Sequence, residues 1–585
     1  MEKVVIDGYA DFSGGMDSSR SPSLINQDQY AFASNILVSE NKDGLRTRNG
    51  FRFVDIRFAN DFTKEIFENG NHQGDGWYIN DNGNVVIILV ISGYFIEVTN
   101  INKYVKYARI LNKDSQNNPD TLINYVSKIP NGCIVNDGES SAFLIKRNES
   151  RRTSHRRKEI GAGLMGVYVQ NRFFYVLPNR KEIYASTIQD PTSLEEAYLD
   201  NIYGFKIPED DNFITAIGRQ ATIARDISGG NLAFSTSDDF YSVDVRGSRV
   251  SWGALAGQGV GFVTNTLPGL GAVSQYSFEN FNGNIFYRNP IFGLVNLKQG
   301  VSEFVNKDTF SKQTIEASLF FDSDHKEFLD KCYTKAFGRS VLTTVSPFHR
   351  NGFVYWNGIL FTTPDPYYGK DGNRYTNITE SVFTGVRPWC IIVTKKNNKE
   401  EMFVLSYDKD GKNRLYFYDR DLHYDVNHKG EKRRIESSIL TRFFTFGKPL
   451  NFKRGIGQYY SLDNITTDID VTISTRTSDS SYFDCQWNCN HLLGNKCIRE
   501  NRFCFDKNEE DSREFVKFSK DPGDFRYLKR QDFIKLKGRA SLTKFVREAE
   551  LQLSGTDIFD CKKEKTRTPV TQKQPVEFKI FDYSI

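Results

Sequence analysis

Four of the eight cysteines lie close together near the end of the sequence, and clustered thiols are the residues here whose spacing could most directly do chemistry. The members of this group, with the histidine inside it, are Cys485, Cys489, His491, Cys497 and Cys504. Structural zinc sites usually contain Cys-x-x-Cys pairs, whose tight turn directs two thiolates at one tetrahedral ion. This group has no such pair. The spacing therefore leaves three alternatives open: unpaired thiols, disulfides formed outside a reducing cytoplasm, and a zinc site.

The other four cysteines are scattered along the chain, and a free cysteine usually behaves as a small apolar residue. We therefore predict that these thiols are buried: Cys133, Cys332, Cys390 and Cys561.

Three other segments contain residue types that could bind ligands. Residues 406–411 are similar to the Asp-box of sialidase-type propellers, but the motif occurs once and lacks the following Thr-Trp, which favours a plain hairpin turn. The acidic residues 207–211 lack the spaced oxygen ligands of a calcium loop, which favours a solvated turn. The glycine-rich residues 252–261 contain no lysine and precede no predicted helix, so phosphate binding is not expected there.

The seven histidines are scattered, and no Ser/His/Asp or paired-carboxylate spacing is visible. We therefore predict no catalytic, cofactor-binding or metal-ligating residue, no cofactor and no enzymatic activity.

One concentrated basic segment covers residues 146–158 and contains seven Lys or Arg residues together with His155. Such a segment is most often a solvated loop. The alternative is a contact with an anion, such as DNA, lipopolysaccharide or an acidic neighbouring subunit.

The composition indicates which elements position these side chains. A chain of 585 residues exceeds what one core normally serves, so two or three domains are expected. The 47 Phe, 29 Tyr and 44 Gly predict many short strands and tight turns, and hence a mostly-β protein. No run reaches the roughly 18 apolar residues of a membrane span, and the first residues lack the apolar core of a secretory signal. The chain is therefore expected to be made in a cytoplasm, and to stay there or leave without such a signal.

The order of the strands favours a propeller. A buried strand is predicted over residues 85–91, with a turn at Ser92-Gly93, and Asp410-Gly411 marks another turn. Residues 352–361 predict a hairpin around Asn357-Gly358, whereas residues 315–337 look partly helical. Units of three to four short strands recur every ~40–60 residues, which is typical of propeller blades. A large double sandwich is the main competing fold.

The N-terminal residues 8–55 have a distinctive order of elements. Phe12-Ser13-Gly14-Gly15 precedes a proline-containing loop, and residues 26–33 predict a short capped helix. A strand at Asn35-Ile36-Leu37-Val38 and a turn at Asn41-Lys42-Asp43-Gly44 are followed by a returning strand over residues 45–54.

This order resembles the N-terminal region of tail nozzle proteins of short-tailed bacteriophages, also called tail tubular protein B, and of related tail accessory factors. In that family a glycine pair precedes an asparagine-containing strand and a "GL-(K/R)-x-R-P-G" arm, and here Asn49 stands in the position of the proline. Residues 165–198 resemble the family's pattern of a strand pair, an Ala-Ser strand and an Asp-Pro loop, and residues 231–244 and 282–297 resemble successive blade hairpins found there. The resemblance covers roughly residues 8–300.

The resemblance implies a mostly-β architecture, an irregular β-propeller with a β-sandwich-like platform built from both ends of the chain. The expected domains are an N-terminal platform segment (1–60), a propeller-like nozzle domain (61–430) and a C-terminal β-sandwich platform (431–585). Alternating strand patterns after residue 431 are consistent with that last domain.

The resemblance also implies a structural subunit of the virion tail, a nozzle or muzzle assembled in the host cytoplasm. Its expected partners are other copies of itself in a homohexameric ring, the portal and adaptor, other tail proteins, and DNA that passes non-specifically through the lumen. No membrane span is expected. The net charge of +4 suits this role, because a strongly basic lumen would hold passing DNA through its phosphates.

Two functions of other classes remain alternatives. A carbohydrate-binding or carbohydrate-cleaving propeller would need aromatic residues and paired carboxylates converging on one face. A cellular scaffold propeller would be expected to show a regular sequence repeat, and no strict repeat is visible.

Overall fold

The computed structural model describes residues 5–6, 9, 12, 15–16, 21–38, 45–113, 124–147, 149–195, 204–207, 212–220, 231–245, 263–281, 284–289, 293–297, 333–338, 340–344, 352–357, 377–382, 386–408, 410–445, 455–463, 469–477, 484–493, 496–499, 515–518, 530–537, 541–542 and 577–584. Statements below concern these residues.

Eight short strands precede the first helix. They are β1 (Val5–Ile6), β2 (Gly15–Met16), β3 (Gln29–Tyr30), β4 (Phe32–Ser34), β5 (Ile36–Val38), β6 (Leu45–Thr47), β7 (Gly50–Phe53) and β8 (Asp55–Phe58). Helix α1 (Asp61–Asn69) follows, and Asn60 caps it by accepting a hydrogen bond from the Thr63 N–H at 2.8 Å. Among the described residues no helix is long and apolar enough to cross a membrane.

The chain then forms successive antiparallel sheets in sequence order. The first four contain four consecutive strands each. These are β9 (His72–Ile79), β10 (Val85–Ile91), β11 (Tyr94–Asn100) and β12 (Val105–Lys113); β13 (Tyr125–Ile129), β14 (Gly132–Asn136), β15 (Phe143–Lys146) and β16 (Glu149–Arg152); β17 (Gly166–Val169), β18 (Arg172–Val176), β19 (Glu182–Ala185) and β20 (Gly204–Lys206); and β21 (Ile214–Gln220), β22 (Asn231–Thr236), β23 (Phe240–Val243) and β24 (Val263–Leu267).

Three further sheets follow. Their strands are β25 (Glu279–Phe281), β26 (Asn284–Asn289) and β27 (Gly293–Leu297); β28 (Thr334–Phe337), β29 (Ser340–Thr344), β30 (Gly352–Asn357) and β31 (Asn377–Val382); and β32 (Val386–Lys396), β33 (Lys399–Asp408) and β34 (Asn413–Asp419). Single-turn 3-10 helices lie at His155–Arg157 and Gln275–Ser277.

The seven sheets form a closed ring. The first strand of each sheet contacts the first strand of the next, in the order β9, β13, β17, β21, β25, β28 and β32, and β32 in turn contacts β9. This is the arrangement of a seven-bladed propeller, and we number the blades in that order. Strand β7 completes blade 7 by pairing antiparallel with β34, so a strand from before the first blade closes the ring. Strand β8 extends blade 1 by pairing parallel with β12.

Apolar side chains on both faces of the blades fill the spaces between blades. Every residue of β10 is buried, because one face packs towards blade 2 and the other towards blade 7. A strand that is buried on both faces has a continuous run of apolar residues in its sequence, as residues 85–91 do.

Two further strands, β35 (Tyr424–Val426) and β36 (Lys432–Arg434), extend blade 7, because β35 pairs parallel with β7. The remaining strands build the platform together with N-terminal strands. They are β37 (Glu436–Leu440), β38 (Gly455–Asp463), β39 (Ile469–Thr477), β40 (Asp484–Leu493), β41 (Lys496–Arg499), β42 (Phe515–Phe518), β43 (Arg530–Lys537), β44 (Ser541–Leu542) and β45 (Glu577–Ser584). One sheet has the order β1-β45-β38-β44-β6-β5, and another continues blade 6 through β4, β37, β43, β39, β40 and β41. The predicted fold class is confirmed.

Residues 26–33 are a turn followed by strands, so the predicted helix is wrong. The Asn26 carbonyl accepts the Gln29 N–H at 3.1 Å, and β3 and β4 follow directly. Strand β4 pairs with β37, where Ile439 lies opposite Ala33. Pairing with a strand about 400 residues later overrides the local helix pattern.

Three other expectations also need correction. The predicted single strand over residues 45–54 is two strands, since β6 lies in the platform and β7 in blade 7. Strand β30 pairs with β29 on one side and with β31 on the other, where Asn357 lies opposite Asn377, so the return strand of this hairpin is Asn377–Val382 and not residues 359–361, which lie outside the described residues. Thr334–Phe337 is strand β28 rather than helix, while residues 315–332 lie outside the described residues.

The predicted turns at Ser92-Gly93 and Asp410-Gly411 are confirmed. Ser92 and Gly93 have φ of 46° and 78°, and Gly411 has φ of 75°, which is the left-handed region that such turns require. The predicted strand over residues 85–91 is β10. The turn predicted at residues 41–44 lies outside the described residues, although β5 and β6 on either side of it pair antiparallel as expected.

Candidate functional site

Residues 8–55, called the resemblance stretch below, lie at the join between propeller and platform in the part of them that the structure describes. Its central residue is Arg48, between β6 and β7, with only 1% of its side chain exposed. The guanidinium makes two parallel hydrogen bonds to the Asp425 carboxylate, at 2.8 and 2.7 Å, and Nε donates to Asn35 Oδ1 at 2.8 Å. Because Asp425 lies in β35 and Asn35 precedes β5, one side chain ties three segments together.

The residues around Arg48 fix the backbone at this join. Asn35 has φ of 58° and donates from its side chain to the Glu436 carbonyl at 2.6 Å. Asp425 also accepts the Phe51 N–H at 2.9 Å. Gly50 permits close approach of β7 to β35, since a Cβ there would lie 2.0 Å from the Tyr424 carbonyl oxygen.

A second contact anchors the same stretch on the platform. The Tyr9 hydroxyl donates to the Gln29 carbonyl at 3.0 Å and accepts the Arg442 N–H at 2.9 Å. The Arg442 guanidinium lies 5.5 Å from the Tyr9 ring centroid and 4.8 Å from that of Phe444. Phe12 stacks on Tyr9, with ring centroids 4.6 Å apart. Residues of the resemblance stretch therefore pack on strands that come after the propeller.

The second candidate site is a cavity of about 470 Å³ on the axis of the propeller. Its walls come mostly from the first strands of five blades, β9, β13, β25, β28 and β32, with Glu400 added from β33. The charged residues that line it are Asp75, Lys128, Glu279, Lys335, Lys395 and Glu400.

Most of these charges are already engaged with one another. Lys335 Nζ lies 3.4 Å from a carboxylate oxygen of Glu279, and Lys395 Nζ lies 3.2 Å from Glu400. Burial alone would lower the pKa of Lys335, but the negative charges, Glu279 first among them, outweigh burial and raise it. The cavity is therefore lined by ion pairs rather than by a surplus of one charge.

The aromatic surface of the cavity is also covered. Lys128 Nζ lies 3.4 Å from the Trp77 ring centroid, in a cation–π contact. A sugar stacking on this ring would have to displace the ammonium group, so the ring is not a free platform for carbohydrate.

A polar cluster lies in the wall of the axial cavity, between blades 1 and 7. It contains His72 and Asp75 from β9 and Cys390 from β32, and all three residues are buried. Cys390 Sγ donates to Asp75 Oδ1 at 3.2 Å, and His72 Nε2 lies 3.8 Å from the same oxygen. Tyr333, immediately before β28, is buried beside this group, and the Asp75 charge adds to burial in raising the pKa of its hydroxyl.

Burial dominates the acid–base behaviour of this cluster. It lowers the pKa of His72 to about 4, against the opposing effect of the Asp75 charge. It also raises the pKa of the Cys390 thiol well above its ordinary value, and the Asp75 charge acts in the same direction. At neutral pH the imidazole is therefore neutral and the thiol protonated.

Sequence reasoning missed this cluster. Cys390 was expected to be a buried apolar residue; it is buried, but its thiol is hydrogen-bonded. Cys133 is buried among apolar side chains as predicted. The other cysteines singled out in the sequence have no described side chains, and the predictions for residues 208–211 and 252–261 likewise lie outside the described residues.

The basic segment at residues 146–158 is an edge strand followed by a 3-10 helix. Several of its charges have carboxylate partners: Arg151 lies 2.8 Å from Glu159, and Lys158 lies 2.7 Å from Glu195. Part of this segment's charge is thus used within blade 2 and the loop that follows it.

Comparisons with known proteins identify no family. No protein-family profile and no curated protein matches the chain. Solved structures with some likeness include BamB from Moraxella catarrhalis, which is 11% identical over 68% of this chain and 99% of that one, with a TM-score of 0.33. A structure of BBS1N in complex with ARL6DN is 7% identical over 61% and 94%, with a TM-score of 0.34. The computationally designed Ika8 protein is 8% identical over 63% and 99%, with a TM-score of 0.31. Strand pairing and the contacts between the first strands of neighbouring blades define the propeller.

Proposed function

We propose that this chain is a structural subunit of a short phage tail, a nozzle or muzzle protein that forms a ring around the DNA ejection channel below the portal and adaptor. The observation that carries the proposal is the position of the resemblance stretch. Its arginine, Arg48, is buried at the join of propeller and platform, where it holds Asp425 and Asn35. The stretch that resembles the family is thus an architectural element of the fold.

In this proposal the propellers are the walls of the ring, and the DNA path lies between subunits. The axial cavity of each propeller has a volume of only about 470 Å³ and is lined by ion pairs such as Glu279–Lys335, so it is not itself a path for a duplex. The balance of 77 basic and 73 acidic residues limits the retention of passing phosphates.

The first test is the mass of the purified full chain in solution by light scattering, together with mass spectrometry of virion fractions. A hexameric ring, or recovery of the chain in tail fractions, supports the proposal. A strict monomer that is absent from particles contradicts it.

The loop at residues 21–25 offers a sharper variant, because Leu24 is 70% exposed within the resemblance stretch. If this loop meets a neighbouring subunit, Leu24→Asp reduces the mass of the ring. The matched control is Ile188→Asp, which changes an aliphatic side chain that is 54% exposed after β19 in blade 3.

The alternative, a carbohydrate-binding or carbohydrate-cleaving propeller, would use the axial cavity. The pairing of its carboxylates with lysines and the cover on Trp77 argue against a sugar site there. Binding of glycans by a monomer would favour this alternative over the ring.

A further inference from the structure

We propose that His72, Asp75 and Cys390 bind one divalent transition-metal ion of the zinc class, with the Tyr333 hydroxyl or a water molecule as fourth ligand. The proposal is independent of the function proposed above. It assigns a metal site to residues that close the ring, since His72 and Asp75 belong to the first blade and Cys390 to the last.

The donor set has the right chemistry. Imidazole nitrogen, carboxylate oxygen and cysteine sulfur are the three ligand types that zinc uses in proteins. The three ligand atoms lie within 4.8 Å of one another, with S···O and N···O separations of 3.2 and 3.8 Å at Asp75. Metal–ligand distances of about 2.0–2.3 Å in a tetrahedron require ligand atoms about 3.3–3.8 Å apart. Small movements of side chains therefore suffice to enclose an ion.

The backbone of β9 is shaped to bring two of these ligands together. Residues three apart in a regular strand point to opposite faces of the sheet. In β9 the register shifts, since Val90 lies opposite Gly74 and Ile91 opposite His72, which leaves Gln73 as an extra residue. This β-bulge changes the alternation, so that His72 and Asp75 share a face.

Strand β32 has a bulge at the corresponding place. Pro388 lies opposite Ser406 and Cys390 opposite Leu405, which leaves Trp389 without a partner in the register. The third ligand therefore follows directly after a second irregularity. Bulges commonly redirect side chains at functional sites, and here two of them converge on one cluster.

An ion can reach the cluster from the axial cavity, because Asp75 lines both. Binding replaces the thiol proton of Cys390 with the metal, and the proton is released to solvent. The ion would join the two blades at which the ring closes. Metal that binds only the folded chain shifts the folding equilibrium towards the closed ring.

The test is a titration of chelator-stripped full chain with Co²⁺, followed by absorbance, because a cobalt–thiolate bond gives a charge-transfer band. The wild-type chain is expected to bind one more equivalent than Cys390→Ser and to show a band that this variant lacks. Cys133→Ser is the matched control, since Cys133 is also a buried strand cysteine but lies in blade 2. The comparison between variants also separates this site from any signal of Cys485, Cys489, Cys497 and Cys504.

Equal binding by wild type and Cys390→Ser, or loss of the signal in Cys133→Ser but not in Cys390→Ser, overturns the proposal. If Cys390→Ser does not fold, His72→Gln is measured in its place. Diffraction or electron microscopy of the zinc-loaded wild-type chain tests the metal site without any variant. A metal peak within bonding distance of Cys390 Sγ supports the proposal, and a structure in which that position is empty overturns it.

Discussion

Arg48 and Asp425 are 377 positions apart in the sequence and form a buried ion pair with two parallel hydrogen bonds. Arg48 stands between a platform strand and a blade strand, and Asp425 stands in the last sheet of the propeller. The pair therefore fixes the propeller to the platform from within one chain.

Removal of one partner from this pair should destabilise the chain strongly. Arg48→Met leaves the Asp425 carboxylate buried with its charge uncompensated. The expected loss is about 3–5 kcal/mol in the free energy of unfolding, measured by urea denaturation. A double variant, Arg48→Met with Asp425→Leu, should recover part of this loss because no buried charge remains.

The control is the exposed pair of Lys158 and Glu195, whose side chains are 67% and 61% exposed. Lys158→Met should change the unfolding midpoint little, because solvent screens such pairs. An equal effect of the two methionine variants would show that the buried pair does not hold the join.

The close approach of β7 to β35 predicts a specific steric effect. In Gly50→Ala the added methyl would lie 2.0 Å from the Tyr424 carbonyl oxygen, so the two strands must separate. The expected loss is about 1–3 kcal/mol, measured by the same denaturation. Gly161→Ala is the control, since a Cβ at Gly161 meets nothing within 4 Å. Similar stability of the two variants would contradict the contact.

Asp408 should account for part of the acid sensitivity of blade 7. Burial alone would raise its pKa, but hydrogen bonds from the Lys412 and Asp410 N–H groups and from Arg414 outweigh burial and lower it. A carboxylate with a lowered pKa contributes stability above about pH 4, and this contribution is lost as the pH falls through the folded-state pKa. Asp408→Asn should therefore be less stable than wild type at neutral pH and lose less stability on acidification.

The measurement is the thermal midpoint of the full chain between neutral and acidic pH. Asp410→Asn is the control, because Asp410 is exposed in the same turn. If Asp410→Asn flattened the acid dependence as much as Asp408→Asn, the effect would belong to the turn rather than to the buried carboxylate.

Local sequence patterns predicted the blades well because each blade is built from short-range pairs. The apolar run of residues 85–91 and the turn at Ser92-Gly93 lie within one hairpin, where side chains and backbone preferences decide the structure together. Residues 26–33 were mispredicted for the opposite reason. Their pattern fits a helix, and the strand that pairs with them, β37, comes some 400 residues later.

The candidate metal cluster could not be predicted from the sequence, because the spacing of its three residues along the chain does not indicate that they lie together. His72 and Asp75 are three residues apart, which in a regular strand places them on opposite faces. Only the register of β9 against β10 shows the extra residue that changes this. Cys390 lies in the last blade, and its distance to Asp75 depends on how the ring closes.

Lys106 of β12 is a buried lysine whose replacement should stabilise the chain. Burial lowers its pKa from 10.5 to about 8, although the charge of Glu401 acts in the opposite direction. Its ammonium donates to the side chain of Asn100, which is exposed, and lies 4.6 Å from the Phe403 ring centroid. Removal of the Lys106 ammonium group leaves no buried hydrogen-bond acceptor unpaired, because the Asn100 side chain is exposed and water can donate to it instead.

The sign of the pH dependence follows from the lowered pKa. Between pH 8 and 10.5 the unfolded chain binds more protons at Lys106 than the folded chain, so stability rises with pH across this window. Lys106→Met should be more stable than wild type at pH 7, by up to about 3 kcal/mol, and should lose this rise. Lys64→Met, at an exposed position of α1, is the control and should change neither property. A less stable Lys106→Met would instead mean that the contact with the Phe403 ring outweighs the cost of burying the charge.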